Sequence, residues 1–125
     1  MAVSLSAAMS AQAAARQKTY PAELAGTWMI QSDAREDAPR CKASDPIVQE
    51  SEATMTISGG NLQQYESGAT PRGVRRIAKR PAAWEIQETE ESADGTRQAT
   101  RLYVLQSGRL TVFEDDFALV YQRCL

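Results

Sequence analysis

The chain of 125 residues is long enough for one domain, and its 24% charged and 42% hydrophobic residues are the balance of an ordinary soluble globular protein. A formal net charge of −2 excludes the global positive field that attracts nucleic acid, so we expect no nucleic-acid partner. Histidine is absent, which excludes Ser-His-Asp and Cys-His catalytic groups and imidazole metal sites. We therefore expect no enzyme activity, no cofactor and no bound metal.

Residues 1–15 carry no charge and are almost all small or mildly apolar. They predict the remnant of a signal peptide, because residues 11–13 and 13–15 both have the small-x-small pattern of a cleavage site. The alternative is a flexible Ala-rich N-terminus. The segment is shorter than the roughly 20 apolar residues of a membrane span, so no span is expected. Residues 16–125 then form a single domain.

Cys41 and Cys124 indicate the compartment. An even number of cysteines in a small exported chain predicts a disulfide, and their wide separation excludes a CxxC redox or zinc motif. We therefore predict a Cys41–Cys124 disulfide in a periplasmic or secreted protein. The alternative is two unrelated thiols in a cytosolic protein.

The rest of the chain consists of short alternating runs separated by turn signals such as Gly59-Gly60 and Ser107-Gly108. The alternation predicts about eight strands and no substantial helix. The predicted strands cover residues 24–32, 52–58, 61–66, 73–79, 82–88, 97–106, 109–113 and 117–124. Residues 33–51 are charged and contain two prolines, so we predict a long loop that carries Cys41.

Tight turns between consecutive strands predict an all-β fold, an antiparallel up-and-down barrel of about eight strands. Closure into a barrel removes the two exposed edges that one open sheet would have. A two-sheet sandwich is the alternative, but Greek-key sandwiches need long crossover connections and only the first loop here is long.

Gly26-Thr27-Trp28, at the start of the first strand, resembles the Gly-x-Trp motif of lipocalins and their calycin relatives. In that family the tryptophan closes one end of the barrel and an arginine from the last strand packs across it. The resemblance therefore implies that Gly26, Trp28 and Arg123 close this barrel. The layout is also similar to the small periplasmic barrels of the bacterial metalloproteinase-inhibitor family, although the disulfide of that family joins cysteines that are nearer each other.

Two charged clusters have ordinary explanations. Glu88, Glu90, Glu91 and Asp94 match no calcium-loop spacing, so we expect them in a solvated hairpin. A basic run places five of the fourteen cations in nine residues, and alternation splits it between two faces, so we expect it to protect an edge strand. The run contains Arg72, Arg75, Arg76, Lys79 and Arg80.

A barrel of about eight strands has an interior just wide enough for side chains or one small ligand. We expect large side chains to fill it, namely Trp28, Met55, Ile57, Trp84, Ile86, Leu102, Val104, Leu110, Val112, Phe117, Leu119 and Tyr121. A filled interior favours recognition of another exported protein at the surface, as an inhibitor does, over a lipocalin-like carrier of a small apolar ligand. The candidate partner surface is in the 33–51 loop and comprises Arg35, Glu36, Asp37, Arg40 and Lys42.

Overall fold

The computed structural model describes residues 18–31 and 41–125. The strands are β1 (Gly26–Ile30), β2 (Thr54–Ser58), β3 (Asn61–Gln64), β4 (Ser67–Lys79), β5 (Ala82–Ser92), β6 (Gly95–Gln106), β7 (Arg109–Glu114) and β8 (Phe117–Arg123). Each strand pairs antiparallel with the next, and β8 pairs with β1 to close an eight-stranded barrel. The predicted up-and-down barrel is confirmed, and the sandwich alternative is wrong.

Three strands are longer than predicted. β4 begins at Ser67 rather than at residue 73, β5 continues to Ser92 rather than ending at residue 88, and β6 begins at Gly95. Two bulges interrupt the pairing of β4 with β5, and a bulge breaks the strict alternation from which strands are recognised in a sequence. The longer β6 pairs with β5 from Gly95 to Leu105 but with β7 only from Leu102 to Gln106.

The predicted disulfide between Cys41 and Cys124 is confirmed, and it ties the connection after β1 to the residue that follows β8. The prediction that residues 33–51 are loop throughout is wrong for Pro46–Gln49, which form the short helix α1. Asp45 begins this helix because its carboxylate accepts a hydrogen bond from the backbone N–H of Ile47. A proline at the first helical position adds a favourable backbone angle.

The buried core lies inside the barrel and is continued at one end by a 3-10 turn, Ala22–Leu24. Alternation on each strand sends every second side chain inward. The largest fully buried apolar and aromatic side chains are Leu24, Trp28, Ile57, Ile86, Tyr103, Leu110 and Tyr121, and Trp84 is almost as buried. Leu119 is partly buried against this core.

Of the residues that we assigned to the interior, two point outward and a third lies at its rim. Tyr103 pairs with Trp84 and is buried, so its neighbours Leu102 and Val104 point to the outside of the barrel. Phe117 begins β8 at the rim and is half exposed. In β6, Leu102 begins a run of four consecutive apolar residues. Hydrophobicity alone does not show which alternate residues of this run point inward, and the prediction placed Leu102 and Val104 inside instead of Tyr103.

Candidate functional site

The Gly-x-Trp motif and Arg123 meet at the end of the barrel where β1 begins. The Arg123 guanidinium carbon lies 4.2 Å from the centre of the Trp28 ring, which is the predicted stacking contact. Its two terminal nitrogens donate hydrogen bonds of 2.6 Å to the carbonyls of Ala25 and Glu23. Gly26 has a φ of +136°, and a Cβ there would lie 2.9 Å from the Arg123 guanidinium, so this position requires glycine.

Replacing Arg123 with lysine is expected to lower the free energy of unfolding by about 1–2 kcal/mol. A single ammonium group cannot stack on Trp28 and also reach both carbonyls, as the planar guanidinium does. Urea unfolding followed by tryptophan fluorescence measures the loss. Arg109→Lys is the matched control, because Arg109 is exposed; equal stability of the two variants would contradict the role assigned to Arg123.

A network of ion pairs lies inside the barrel, where the sequence predicted only apolar side chains. Continued alternation along β5 turns Glu88 and Glu90 inward after Trp84 and Ile86. Glu88 is fully buried, so the prediction that this acidic cluster is a solvated hairpin is wrong for it. Glu91 and Asp94 are exposed, as that prediction requires.

Arg101 is the centre of this network, and only 11% of its side chain is exposed. It lies 3.0 Å from a carboxylate oxygen of Glu88, 2.8 Å from Glu90 and 3.0 Å from Glu114. Arg97, which is exposed, contacts Glu90 and Glu114 from the solvent side. A buried charge is costly unless it is paired and hydrogen-bonded, and Arg101 meets that requirement with three carboxylates.

Two tyrosines complete the partners of Glu88. The hydroxyl of Tyr103 donates a 2.8 Å hydrogen bond to Oε2 of Glu88, and the hydroxyl of Tyr20 donates to the same oxygen. Burial and the nearby Glu88 carboxylate raise the pKa of Tyr20 and of Tyr103 above the ordinary value. Both tyrosines therefore remain protonated donors. The chain before β1 is held against the barrel interior through Tyr20.

Burial acts against ionisation of Glu90 and Glu114, but hydrogen bonds from Arg101 outweigh it and hold the pKa of each carboxyl below its ordinary value. A group with a lowered pKa in the folded state stabilises the fold above its unfolded pKa. That stabilisation is lost as the pH falls through the folded value.

The free energy of unfolding is therefore expected to decrease as the pH falls below the ordinary value of 4.5 for these carboxyls. Urea unfolding at about pH 6, 4 and 3 measures this decrease. A chain with Glu90→Gln and Glu114→Gln should be less stable near neutral pH but should lose less stability on acidification. An equally steep acid dependence in this double variant would show that other groups cause it.

The interior leaves little space for a ligand. The cavity within the barrel has a volume of about 50 Å³ and is bordered by Gln64, Arg101, Glu114 and Phe117 among others. Small-molecule sites usually occupy about 300–1,000 Å³. Larger depressions of about 240–520 Å³ lie on the outer wall, between side chains that point away from the interior.

The segment that follows Cys41 is fixed to the barrel and carries an exposed apolar side chain. Besides the disulfide, the Leu125 N–H donates to the Cys41 carbonyl at 2.7 Å and the Ala43 N–H donates to the Leu125 carbonyl at 2.8 Å. On α1, Val48 is buried whereas Ile47 is 78% exposed. We call residues 41–51 the anchored segment. It presents Ile47 to solvent from a backbone that is fixed at several points.

Of the predicted partner surface, only Lys42 is within the described residues, and it is exposed on the anchored segment. The remaining four residues, Arg35, Glu36, Asp37 and Arg40, lie outside the described residues. The sequence analysis did not single out Ile47. The sequence does contain a signal for it, because Ile47 lies two residues after an N-capping aspartate and next to Val48. This pattern could have predicted a short helix with Val48 facing inward and Ile47 facing solvent.

The basic run lies almost entirely in the part of β4 that pairs with β5 alone, because β3 pairs only with residues 67–69. This register agrees with the expectation that the run protects a strand edge, which stays a prediction. Arg75 forms an ion pair of 3.2 Å with Glu85 on the outer wall. Arg76 lies over the Trp84 ring at 5.3 Å and pairs with Glu23 at 3.6 Å. Both cations thus have partners within the fold.

The fold defines the protein as a closed eight-stranded antiparallel barrel with one disulfide and a charged network inside. Comparison of the chain with protein-family models, with curated proteins and with solved structures gives no match. Among residues 18–31 and 41–125, no helix is long and apolar enough to cross a membrane. The same residues contain no group of three or more His, Cys, Asp or Glu side chains placed to hold a metal ion.

Proposed function

We propose that this protein is a non-catalytic, exported barrel domain that recognises another protein through its surface, as an inhibitor does. The observation that carries the proposal is the exposure of Ile47 on the anchored segment. Exposure of an apolar side chain to water is unfavourable in the free protein. Burial of this side chain against a partner removes that unfavourable contact with water and so favours binding. Because the backbone around Ile47 is already fixed, binding would order few additional groups.

The filled interior supports surface recognition over the alternative of a lipocalin-like carrier. A cavity of about 50 Å³ does not accommodate a drug-sized or lipid-sized ligand, and the ion-paired Arg101 and Glu114 line it. Opening this space for an apolar ligand would separate paired charges in an apolar environment. Export is supported by the disulfide, because such bonds persist in oxidising compartments.

Site-specific photo-crosslinking in the cells that make the protein tests this proposal. A photoreactive amino acid at position 47 should form a covalent adduct with one second protein, and the same group at position 77 should not. Ile77 is the matched control, because it is an exposed isoleucine on the wall of β4. Added unlabelled chain should compete for the adduct, as should Ile77→Ser, whereas Ile47→Ser should not.

Equal crosslinking from positions 47 and 77 would contradict the proposal. So would saturable, micromolar quenching of tryptophan fluorescence by a fatty acid or another apolar small molecule. A ligand inside the barrel would lie near Trp28 or Trp84 and change their emission, so this result would favour the carrier instead.

A further inference from the structure

The middle of the outer wall formed by β6, β7 and β8 is mostly apolar. Strand register places two rows of outward side chains there, each crossing the three strands, and a third, polar row beside them contains Gln106, Arg109 and Gln122. The first row is Leu102, Phe113 and Ala118, and the second is Val104, Thr111 and Val120. Phe113 is 43% exposed and Val120 is 37% exposed. We call these two rows the β6–β8 face. The outer wall of β4 and β5, by comparison, carries the Arg75–Glu85 ion pair.

The two rows differ in shape. A depression of about 520 Å³ lies along the second row, bordered by Val104, Thr111 and Val120, and extends to Arg109. The first row instead contains Phe113, whose ring is half exposed beside that depression. The β6–β8 face therefore has a projecting aromatic residue and an open groove next to each other along β7.

Charge along β7 is also asymmetric. The strand begins at Arg109 and is followed by the turn residues Asp115 and Asp116, all three of which are exposed. A twofold axis that lies in the interface plane, crosses above the middle of β7 and runs perpendicular to that strand would set Arg109 of one copy against Asp115 of the other. The same operation would set Phe113 against the groove beside Thr111. Both the charge pattern and the shape are thus complementary to themselves, which a twofold interface requires.

We infer that the protein forms a dimer in which two β6–β8 faces pack antiparallel across this twofold axis. Where the two rows lie, β7 is paired on both sides, with β6 and with β8, so two copies associate there through side chains of the face rather than by extending a sheet. The dimer is in equilibrium with single chains, so its population depends on concentration. The residues of the β6–β8 face are different from those of the anchored segment.

Sedimentation equilibrium of the oxidised full chain over a series of concentrations tests the dimer. The average mass should rise toward twice that of one chain, and Phe113→Ser should raise the dissociation constant at least about tenfold. Ile77→Ser is the matched control and should leave association unchanged, because Ile77 is similarly exposed on β4. A single-chain mass at every concentration would overturn the inference, as would equal effects of the two variants.

Charge reversal tests the antiparallel arrangement. Arg109→Glu alone and Asp115→Arg alone each bring like charges together at both ends of the interface, so each should weaken association at low salt. An equimolar mixture of these two variants pairs opposite charges at both ends and should restore association. Failure of the mixture to restore it would overturn the proposed geometry. Circular dichroism of each variant verifies that the barrel is folded.

Discussion

Replacing Arg101 with methionine is expected to lower the free energy of unfolding by about 3–5 kcal/mol, which is the usual cost of removing one partner of a buried ion pair. The fully buried carboxylate of Glu88 would lose the guanidinium that lies 3.0 Å from it. The tyrosine hydroxyls that remain beside Glu88 supply hydrogen bonds but no positive charge. Urea unfolding at neutral pH, followed by circular dichroism, measures the change.

Arg97→Met is the control for this prediction. Arg97 contacts the same Glu90 and Glu114 carboxylates, but 60% of its side chain is exposed and screened by solvent, so its loss should cost much less stability than the loss of Arg101. Combining Arg101→Met with Glu88→Gln should recover part of the stability, because a neutral amide needs no counter-ion and still accepts a hydrogen bond from a tyrosine. Equal effects of Arg101→Met and Arg97→Met would contradict the structural role of burial.

The barrel could be predicted because its determinants are local. Alternation in β2, β5 and β8, together with glycine pairs such as Gly59-Gly60 at a turn, gives strands joined by hairpins. Because the connections are short, the simplest way to give the first and last strands a second partner is to pair them with each other, which closes the barrel. The contact of Trp28 with Arg123 was instead implied by the resemblance of Gly26-Thr27-Trp28 to the lipocalin motif, because no local pattern links residues so far apart in the chain.

The charged interior could not be predicted from a rule that places charges outside. That rule holds for single charges, whereas Arg101 is accommodated by carboxylates from β5 and β7 that are distant in sequence. The alternation Trp84, Ile86, Glu88 contained the information, because continuing it turns Glu88 inward. Hydrophobicity alone instead predicts that Leu102 points into the barrel. The pairing of Tyr103 with the buried Trp84 shows that Tyr103 points inward and Leu102 outward.

The partner surface shows a second limit of sequence reasoning. Charge density drew attention to Arg35 and its neighbours, but apolar exposure at Ile47 depends on which side of a four-residue helix faces the barrel. That orientation is fixed by the disulfide and by hydrogen bonds between Leu125 and the anchored segment. Contacts between residues so far apart in the chain leave no local pattern.

Replacing both Cys41 and Cys124 with serine is expected to lower the free energy of unfolding by about 4–5 kcal/mol. The bond joins residues separated by 83 positions, and a loop of that length restricts the unfolded chain strongly. For a domain of this size, which buries only about two thirds of its unfolded surface, this contribution is a large part of the total stability.

The effect on the two ends of the bond should differ. The Cys124 N–H donates to the Thr27 carbonyl at 2.8 Å, so the end of β8 stays bound to β1 without the disulfide. The anchored segment is then held by its backbone hydrogen bonds to Leu125 and by the burial of Val48, with no covalent link to β8. Hydrogen exchange of the double-serine chain should therefore increase most at Ala43 and Leu125, and little in β1. A stability loss below about 1 kcal/mol, or uniform exchange along the barrel, would show that the bond neither restrains the unfolded chain nor fixes the segment that carries Ile47.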